Sequence, residues 1–267
     1  MKKIRVFVAG AGGKMGSEVV KTILRQEDMQ LAGCSDVKNL GVDIGVALGL
    51  APVHVEIGGP IAPETLIACQ SDVLIDFTNP QSVLTNAKTA IQAGVVAVVG
   101  TTGLDASEIG ELQELSNKKG VGLLIVPNFA LGAILLMRFA REAAKYFPQV
   151  EIIEMHHDQK LDAPSGTALK TAEWIAEVRQ PMRQGHPNEY EKIEGARGAN
   201  VDGIHIHAVR LPGLIAHQEV LFGGNGQVMT LRHDTYNRET YMPGVLLGIR
   251  KSAGLTEMVV GLESFLD

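Results

Sequence analysis

The first half of this chain alternates short, almost uniformly apolar runs with longer helical patterns, and this alternation constrains its fold more than any other feature. Residues 4–9, 30–34, 73–77, 95–99 and 121–126 read as strands, and residues 15–25, 81–93 and 106–118 as helices. A strand with one wet face alternates polar and apolar residues, whereas one that is apolar throughout is covered on both faces. Strand and helix in turn therefore specify an open, mostly parallel α/β sheet. Aromatic residues make up 4% of the chain against 45% hydrophobic, so that core must be built mainly from Val, Ile, Leu and Ala. At 267 residues the chain has room for two modest domains.

The pattern changes after Asn128. A helix over 131–147 leads to a strand over 151–155, and Pro164-Ser165-Gly166 opens a second helix reaching about residue 179, with Pro164 in its first turn. Residues 180–203 are polar and irregular. Strand-like runs follow at 204–211, 218–222 and 228–233, with turns at Pro212-Gly213 and Gly223-Gly224-Asn225-Gly226. Short turns between consecutive strands predict antiparallel neighbours, hence a second, α+β domain. A last helix, about 239–252, is a candidate to pack back on the first domain.

The net charge of −6 argues against a nucleic-acid or membrane binder, while leaving room for a local basic pocket. Cys34 and Cys69 lie in apolar segments without CxxC spacing and read as small hydrophobes in a reducing compartment. The apolar run at 4–9 is too short for a signal peptide or a membrane span, so the expected location is the cytoplasm.

Gly10-Ala11-Gly12-Gly13-Lys14-Met15-Gly16 follows a strand and opens a helix, as a dinucleotide pyrophosphate site requires. Glycines let the backbone approach the phosphates, and helix N-terminal amides stabilise their charge. A plain glycine-rich turn is the alternative. Asp36, just past the second strand, stands where an acidic residue binds the adenosine ribose. Lys38 suits the 2′-phosphate of NADPH, or is an ordinary solvated lysine; Asp36 favours NADH. Three more loops lie beyond strand carboxyl ends: Phe77-Thr78-Asn79-Pro80, Gly100-Thr101-Thr102-Gly103 and Val126-Pro127-Asn128-Phe129. Phe77 or Phe129 is placed to pack against a nicotinamide. Four such loops on one sheet edge favour a cofactor over mere strand capping.

The densest chemistry runs from Glu154 to Ala168, where a strand delivers His156 and His157, a loop presents Lys160, and a helix begins. Amides of Gly166 and Thr167 at a positive helix end suit a carboxylate, and Lys160 adds a point charge. His156 or Lys160 can supply the proton that accompanies hydride addition to a C=C or C=N unit. A metal site is the competing reading, but His156-His157-Asp158 lacks the helical i,i+4 spacing of common zinc motifs, and none is expected.

This segment closely resembles the signature of the dihydrodipicolinate reductases, E-x-H-H-x-x-K-x-D-x-P-S-G-T-A, with every fixed position present from Glu154 to Ala168. Val8, Gly10, Gly13, Met15 and Gly16 match the family's amino-terminal pattern, and its later loops start at Asp76, Gly100 and Asn128. The resemblance spans essentially the whole chain. It implies a Rossmann domain of residues 1–130 plus 239–267, and a substrate-binding and tetramerisation domain of residues 131–238. It implies NADH- or NADPH-dependent reduction of 4-hydroxy-tetrahydrodipicolinate to tetrahydrodipicolinate with loss of water, on the lysine pathway, by a homotetramer. His156 and Lys160 would carry protons, and His157, Gly166 and Thr167 would hold the carboxylates of this small substrate. Arg197, Arg210, His205 and His207 fit either a charged pocket wall or contacts of the fold or oligomer. Rival readings are another two-domain nicotinamide-dependent dehydrogenase, or a nucleotide-sensing regulator. The sensor reading lacks a DNA-binding module and leaves the proton-carrying segment without a purpose.

Overall fold

The computed structural model describes residues 2–266; Met1 and Asp267, the ends of the expected first domain, lie outside the described residues. Strand β1 (Ile4–Ala9) runs through the glycine loop into α1 (Lys14–Leu24) and then β2 (Met29–Ser35). Three short elements without an expectation from sequence follow: α2 (Ile44–Ala47), β3 (Ile57–Gly58) and α3 (Pro63–Ala68). The alternation resumes with β4 (Val73–Asp76), α4 (Pro80–Gln92), β5 (Val96–Val99), α5 (Ala106–Lys119) and β6 (Leu123–Ile125). Helix ends are chemically marked. The Asn79 side chain accepts from the amides of Gln81 and Ser82, with Pro80 at the start of α4. Asp105 and Glu108 form a capping box on α5, which ends at Gly120 with φ of 62°. Every residue of β4, β5 and β6 is buried, as uniformly apolar strands require, with Phe7, Leu74, Ile91, Leu112 and Leu123 in one core cluster. Each such side chain stabilises the fold by about 1.5–3 kcal/mol relative to exposure.

The middle of the chain comprises α6 (Leu131–Ala144), β7 (Gln149–His156), α7 (Gly166–Ala176), β8 (Ala199–Val201), β9 (Ile204–Arg210), β10 (Ala216–Gly224) and β11 (Gln227–Thr235). Helix α6 stops three residues short of the expected 147, where the Ala143 carbonyl accepts from both Tyr146 and Phe147 amides and tightens the turn. Strand β7 alternates: Val150, Ile152 and Glu154 are buried, the two aliphatics in a cluster with Leu136, Ala140, Ala172 and Ile175 of α6 and α7. Sheet order is β11-β10-β7-β9-β8. The antiparallel expectation holds for β10 and β11, joined at Asn225-Gly226, a two-residue hairpin sequence. It fails for β9 and β10. Strand β7 lies between them, parallel to β9 and antiparallel to β10. The Leu211 amide bonds the His156 carbonyl, so the chain leaving β9 passes the end of β7 rather than folding back on β9.

A 3₁₀ turn (Arg238–Tyr241), α8 (Met242–Ser252) and β12 (Met258–Val260) complete the chain. Strand β12 pairs with β6 and gives an all-parallel seven-stranded sheet, β12-β6-β5-β4-β1-β2-β3. Helix α8 lies against α1, β4, β5 and β6. The chain divides into two compact units, Met1–Phe129 with Tyr241–Asp267, and Ala130–Thr240. This is a Rossmann-type sheet with a second, mixed-sheet unit.

Candidate active site

In the first unit the strand order reverses at β1, whose neighbours are β4 and β2, and ligands of open α/β sheets bind beyond the carboxyl ends of strands at such a point. The glycine loop stands there. Gly10 has φ of +77°, and a Cβ on it would run into the Phe77 carbonyl. A Cβ on Gly16 would run into the Gly10 carbonyl, so α1 packs directly on the loop. Gly13 caps α1 without a side-chain bond, and its first turn holds no acidic residue, which leaves a positive helix end facing the loop. A cleft of about 600 Å³ opens beside it, lined by Gly10, Gly13, Asp36, Val37, Phe77 and Thr78 among others. Loop, helix end and cleft together fit a dinucleotide.

Asp36 is already engaged: its carboxylate accepts from the amides of Gly12 at 2.8 Å, Val37 at 2.7 Å and Lys38 at 3.1 Å. It therefore fixes the glycine loop to the end of β2 as well as facing the cleft. The Lys38 side chain is exposed. Phe77 and Phe129 pack on each other with centroids 5.4 Å apart, and a Cβ on Gly100 would meet both rings. Phe129 is 4% exposed, so it supports Phe77 from beneath.

Sequence reasoning passed over Asp76 as a site residue. It is fully buried, and Oδ1 accepts from Thr78 N–H at 2.9 Å, Thr78 Oγ1 at 2.7 Å and Thr101 Oγ1 at 2.7 Å. Asn86 Nδ2 donates to Oδ2 at 2.8 Å. One carboxylate thus ties together the loops after β4 and β5. Four donors satisfy it in an otherwise apolar strand, which is what a buried acid requires. The cleft wall at Gly59, Pro60 and Ile61 was also unseen, because the two-residue strand before it carries no pattern.

In the second unit, His156 ends β7 and its Nδ1 lies 2.6 Å from Glu154, whose side chain is fully buried. Arg210, at the end of β9, grips the same carboxylate with Nη1 at 2.8 Å and Nη2 at 2.7 Å, and the Ser165 amide donates to it at 3.2 Å. Arg210 Nη2 also holds the Asp162 carbonyl at 2.7 Å. Lys160 Nζ pairs with exposed Asp162 at 2.7 Å. His157 is exposed beside them, and its carbonyl accepts from the Lys160 amide at 3.2 Å. The Ser165 hydroxyl caps α7 by accepting from Ala168 N–H at 3.2 Å. Pro164 therefore lies before the cap and outside the first turn, contrary to expectation, because the Ser165 hydroxyl supplies the cap and makes Gly166 the first helical residue. Gly166 and Thr167 occupy the first two helical positions, whose amides no intrahelical carbonyl reaches, and no acidic residue sits in that turn. His156, Lys160 and the start of α7 are thus brought together by Glu154, Arg210 and Asp162.

Burial opposes ionisation of Glu154, but the bonds from His156 and Arg210 outweigh it and hold its pKa at about 2. A carboxyl whose folded pKa is depressed stabilises the fold above its ordinary pKa, and that contribution disappears as pH falls toward 2. Glu151 has the same depression, to about 2: burial again opposes ionisation and Arg197 and His207 outweigh it. Acid titration of the folded protein should therefore show stability falling between about pH 4.5 and 2. In Glu154→Gln this limb should be flatter by up to about 3 kcal/mol in urea melts taken across that range.

Arg210 and the Arg197–His207 pair part company here. Arg197 and His207 contact Glu151, at 2.6 Å and 2.8 Å, on the opposite face of β7 from Glu154. His205 Nδ1 is buried without a hydrogen-bond partner. Among the described residues no three His, Cys, Asp or Glu side chains are grouped to hold a metal.

The arrangement is that of a two-unit α/β oxidoreductase. An amine dehydrogenase from Mycobacterium smegmatis shares this fold, with a TM-score of 0.69 over 97% of this chain and 95% of its own at 15% identity, a likeness of fold alone. The particular family follows from closer matches. Residues 4–129 match the family model for the N-terminus of dihydrodipicolinate reductase and residues 132–266 that for its C-terminus. A 4-hydroxy-tetrahydrodipicolinate reductase of Desulfitobacterium hafniense is 66% identical over the full length of both chains. One from Syntrophomonas wolfei is 51% identical over 99% of each. A dipicolinate-bound dihydrodipicolinate reductase from Paenisporosarcina sp. TG-14 superposes with a TM-score of 0.86 at 49% identity, covering 99% of this chain and 100% of that one. This chain belongs to the dihydrodipicolinate reductase family.

Proposed function

We propose that the protein reduces 4-hydroxy-tetrahydrodipicolinate to tetrahydrodipicolinate with loss of water, in lysine biosynthesis, using NADH or NADPH. The observation that carries this reading is the segment 154–168, where two proton carriers and a helix N-terminus are presented by one strand and its following loop. When bound, the reduced nicotinamide supplies the hydride. Gly10 to Gly16 would hold the pyrophosphate at the start of α1, Asp36 would bind the adenosine ribose, and Lys38 would be available to a 2′-phosphate. Phe77, Gly100, Thr101, Thr102, Pro127 and Asn128 would line the nicotinamide side, with buried Val126 and Phe129 supporting them from behind.

The first turn of α7, at Gly166 and Thr167, together with His157, holds the substrate carboxylates, because the positive end of a helix without an acidic residue in its first turn suits an anion. Lys160 donates the proton that balances hydride addition. Its partner Asp162 is 61% exposed, and such solvated pairs contribute at most about 1 kcal/mol, so the ammonium exchanges readily to a substrate. His156 handles the second proton through Nε2, as donor or acceptor during loss of water.

We also propose a cytoplasmic homotetramer. No helix among the described residues is long and apolar enough to cross a membrane. The face of the five-stranded sheet that carries Glu151 has a cleft lined by Ile153, Leu221 and Val228, with Val228 70% exposed, which supports contact between copies. The activity is tested by loss of reduced-nicotinamide absorbance with substrate generated from pyruvate and aspartate semialdehyde, NADH and NADPH in parallel. Substrate-dependent oxidation supports the reading, and the ratio of rates assigns preference between Asp36 and Lys38. No oxidation with either cofactor, once cofactor binding and substrate formation are verified, rejects it.

A further inference from the structure

We propose that Glu154, clamped by Arg210, is a positioning residue that sets the tautomer and aim of His156 and ties it to the lysine loop and the start of α7. The assignment rests on reading His156 as a proton carrier. Glu154 and His156 are two residues apart on β7, so their side chains leave the same face of the strand. An ionised carboxylate can only accept hydrogen bonds. The 2.6 Å contact therefore places the imidazole proton on Nδ1 and leaves the Nε2 lone pair for substrate.

The carboxylate itself has no freedom to turn. Arg210 takes one oxygen with each terminal nitrogen, and the Ser165 amide occupies the remaining side of Oε1. Arg210 is held in turn by the carbonyls of Val209 and Asp162. The three elements that must act on one substrate are thus fastened to one buried group: the imidazole directly, the Lys160–Asp162 loop through Arg210, and α7 through its cap residue.

Folding alone does not account for this arrangement. A buried ion pair is replaced by well-packed apolar side chains with little or no loss of stability, so the fold does not call for charge on this face. What apolar side chains cannot supply is a fixed acceptor for Nδ1–H. The amide of a Gln at position 154 faces donors whichever way it is turned: His156 Nδ1–H and Arg210 on one side, Ser165 N–H and Arg210 on the other. It breaks the fork and releases the imidazole to the other tautomer.

The test uses full-length wild type, Glu154→Gln, Glu154→Asp and Arg210→Lys. Turnover is measured in the coupled assay, cofactor affinity by fluorescence, and the His156 tautomer from ¹⁵N imidazole shifts, assigned with His156→Gln. In Glu154→Gln, kcat should fall about 10²-fold or more while substrate KM and cofactor Kd stay within about threefold. The His156 signature should move from Nδ1–H toward Nε2–H. Glu154→Asp should recover at least about tenfold of that loss, because it keeps the acceptor. Glu154→Gln with kcat within about threefold of wild type, or with lost turnover but an unchanged His156 signature, overturns the proposal. Should Glu154→Gln fail to fold, Arg210→Lys carries the test: the fork is lost while the Glu154–His156 pair remains. A fall in kcat of about tenfold with the tautomer kept supports the assignment, and wild-type kcat overturns it. Absence of turnover in wild type counts against the reductase reading instead, and the ¹⁵N signature, which needs no substrate, still decides the positioning claim.

Discussion

Replacing Lys160 with Ala should lower kcat by about 10²–10⁴-fold and leave the dissociation constant of the reduced cofactor nearly unchanged. The lysine stands in the second unit, on the loop between β7 and α7, whereas the glycine loop, Asp36 and the 600 Å³ cleft all belong to the first. Losing its ammonium removes the donor for the proton that balances hydride addition, along with one positive charge facing a dicarboxylate, so substrate KM should rise as well. Stability should hardly move, because the Lys160–Asp162 pair is solvated on the aspartate side. Stopped assays with cofactor titrations on the same preparation separate these quantities. Equal loss of cofactor affinity and turnover would remove Lys160 from the proton role.

The strands and helices of the first unit were legible because each satisfies a local rule. Runs such as Val73–Asp76 and Val96–Val99 are buried along their whole length and carry no polar residue except the acid at the end of β4. The hairpin at Asn225-Gly226 is equally local. Pairing between distant segments was not legible: β9 was expected beside β10, but β7 lies between them, and a turn sequence does not reveal a third strand. Strands β3, β8 and β12 have two or three residues each, too few to establish a period. The site divides in the same way. Its proton carriers and helix start lie within fifteen consecutive residues, where type and spacing are visible. Arg210 stands 56 positions from Glu154 and is joined to it only by the register of β7 with β9, which sets His156 opposite Arg210. From sequence, Arg210, Arg197 and His207 formed one group; strand alternation puts Glu154 and Glu151 on opposite faces of β7 and separates them. Asp76 was read as part of a motif and not as the knot between two loops, because its four donors come from three segments.

Gly16→Ala should raise the cofactor dissociation constant by about 10²-fold and destabilise the first unit by about 1–3 kcal/mol. The added methyl would meet the Gly10 carbonyl and lie 2.9 Å from the Ala11 Cα, backbone atoms that have no rotamer through which to retreat. Either α1 moves away from the end of β1 or the loop moves away from α1. In both cases the amides at the start of the helix lose their alignment with the bend at Gly10, and a pyrophosphate loses the donors that α1 supplies. Helix propensity works in the opposite direction, since Ala is favoured over Gly by about 0.8–1.0 kcal/mol in a helix interior, but this gain is smaller than the clash. Gly166→Ala gives the contrast. No atom lies within 4 Å of a Cβ built there, so this variant should keep wild-type stability and cofactor affinity. Its methyl instead occupies space above the first turn of α7 and should raise substrate KM. Fluorescence titration of reduced cofactor and urea melts of the two variants should therefore separate cleanly. Cofactor affinity within threefold of wild type in Gly16→Ala would show that the loop yields at that point and that the close approach of α1 does not hold the dinucleotide site.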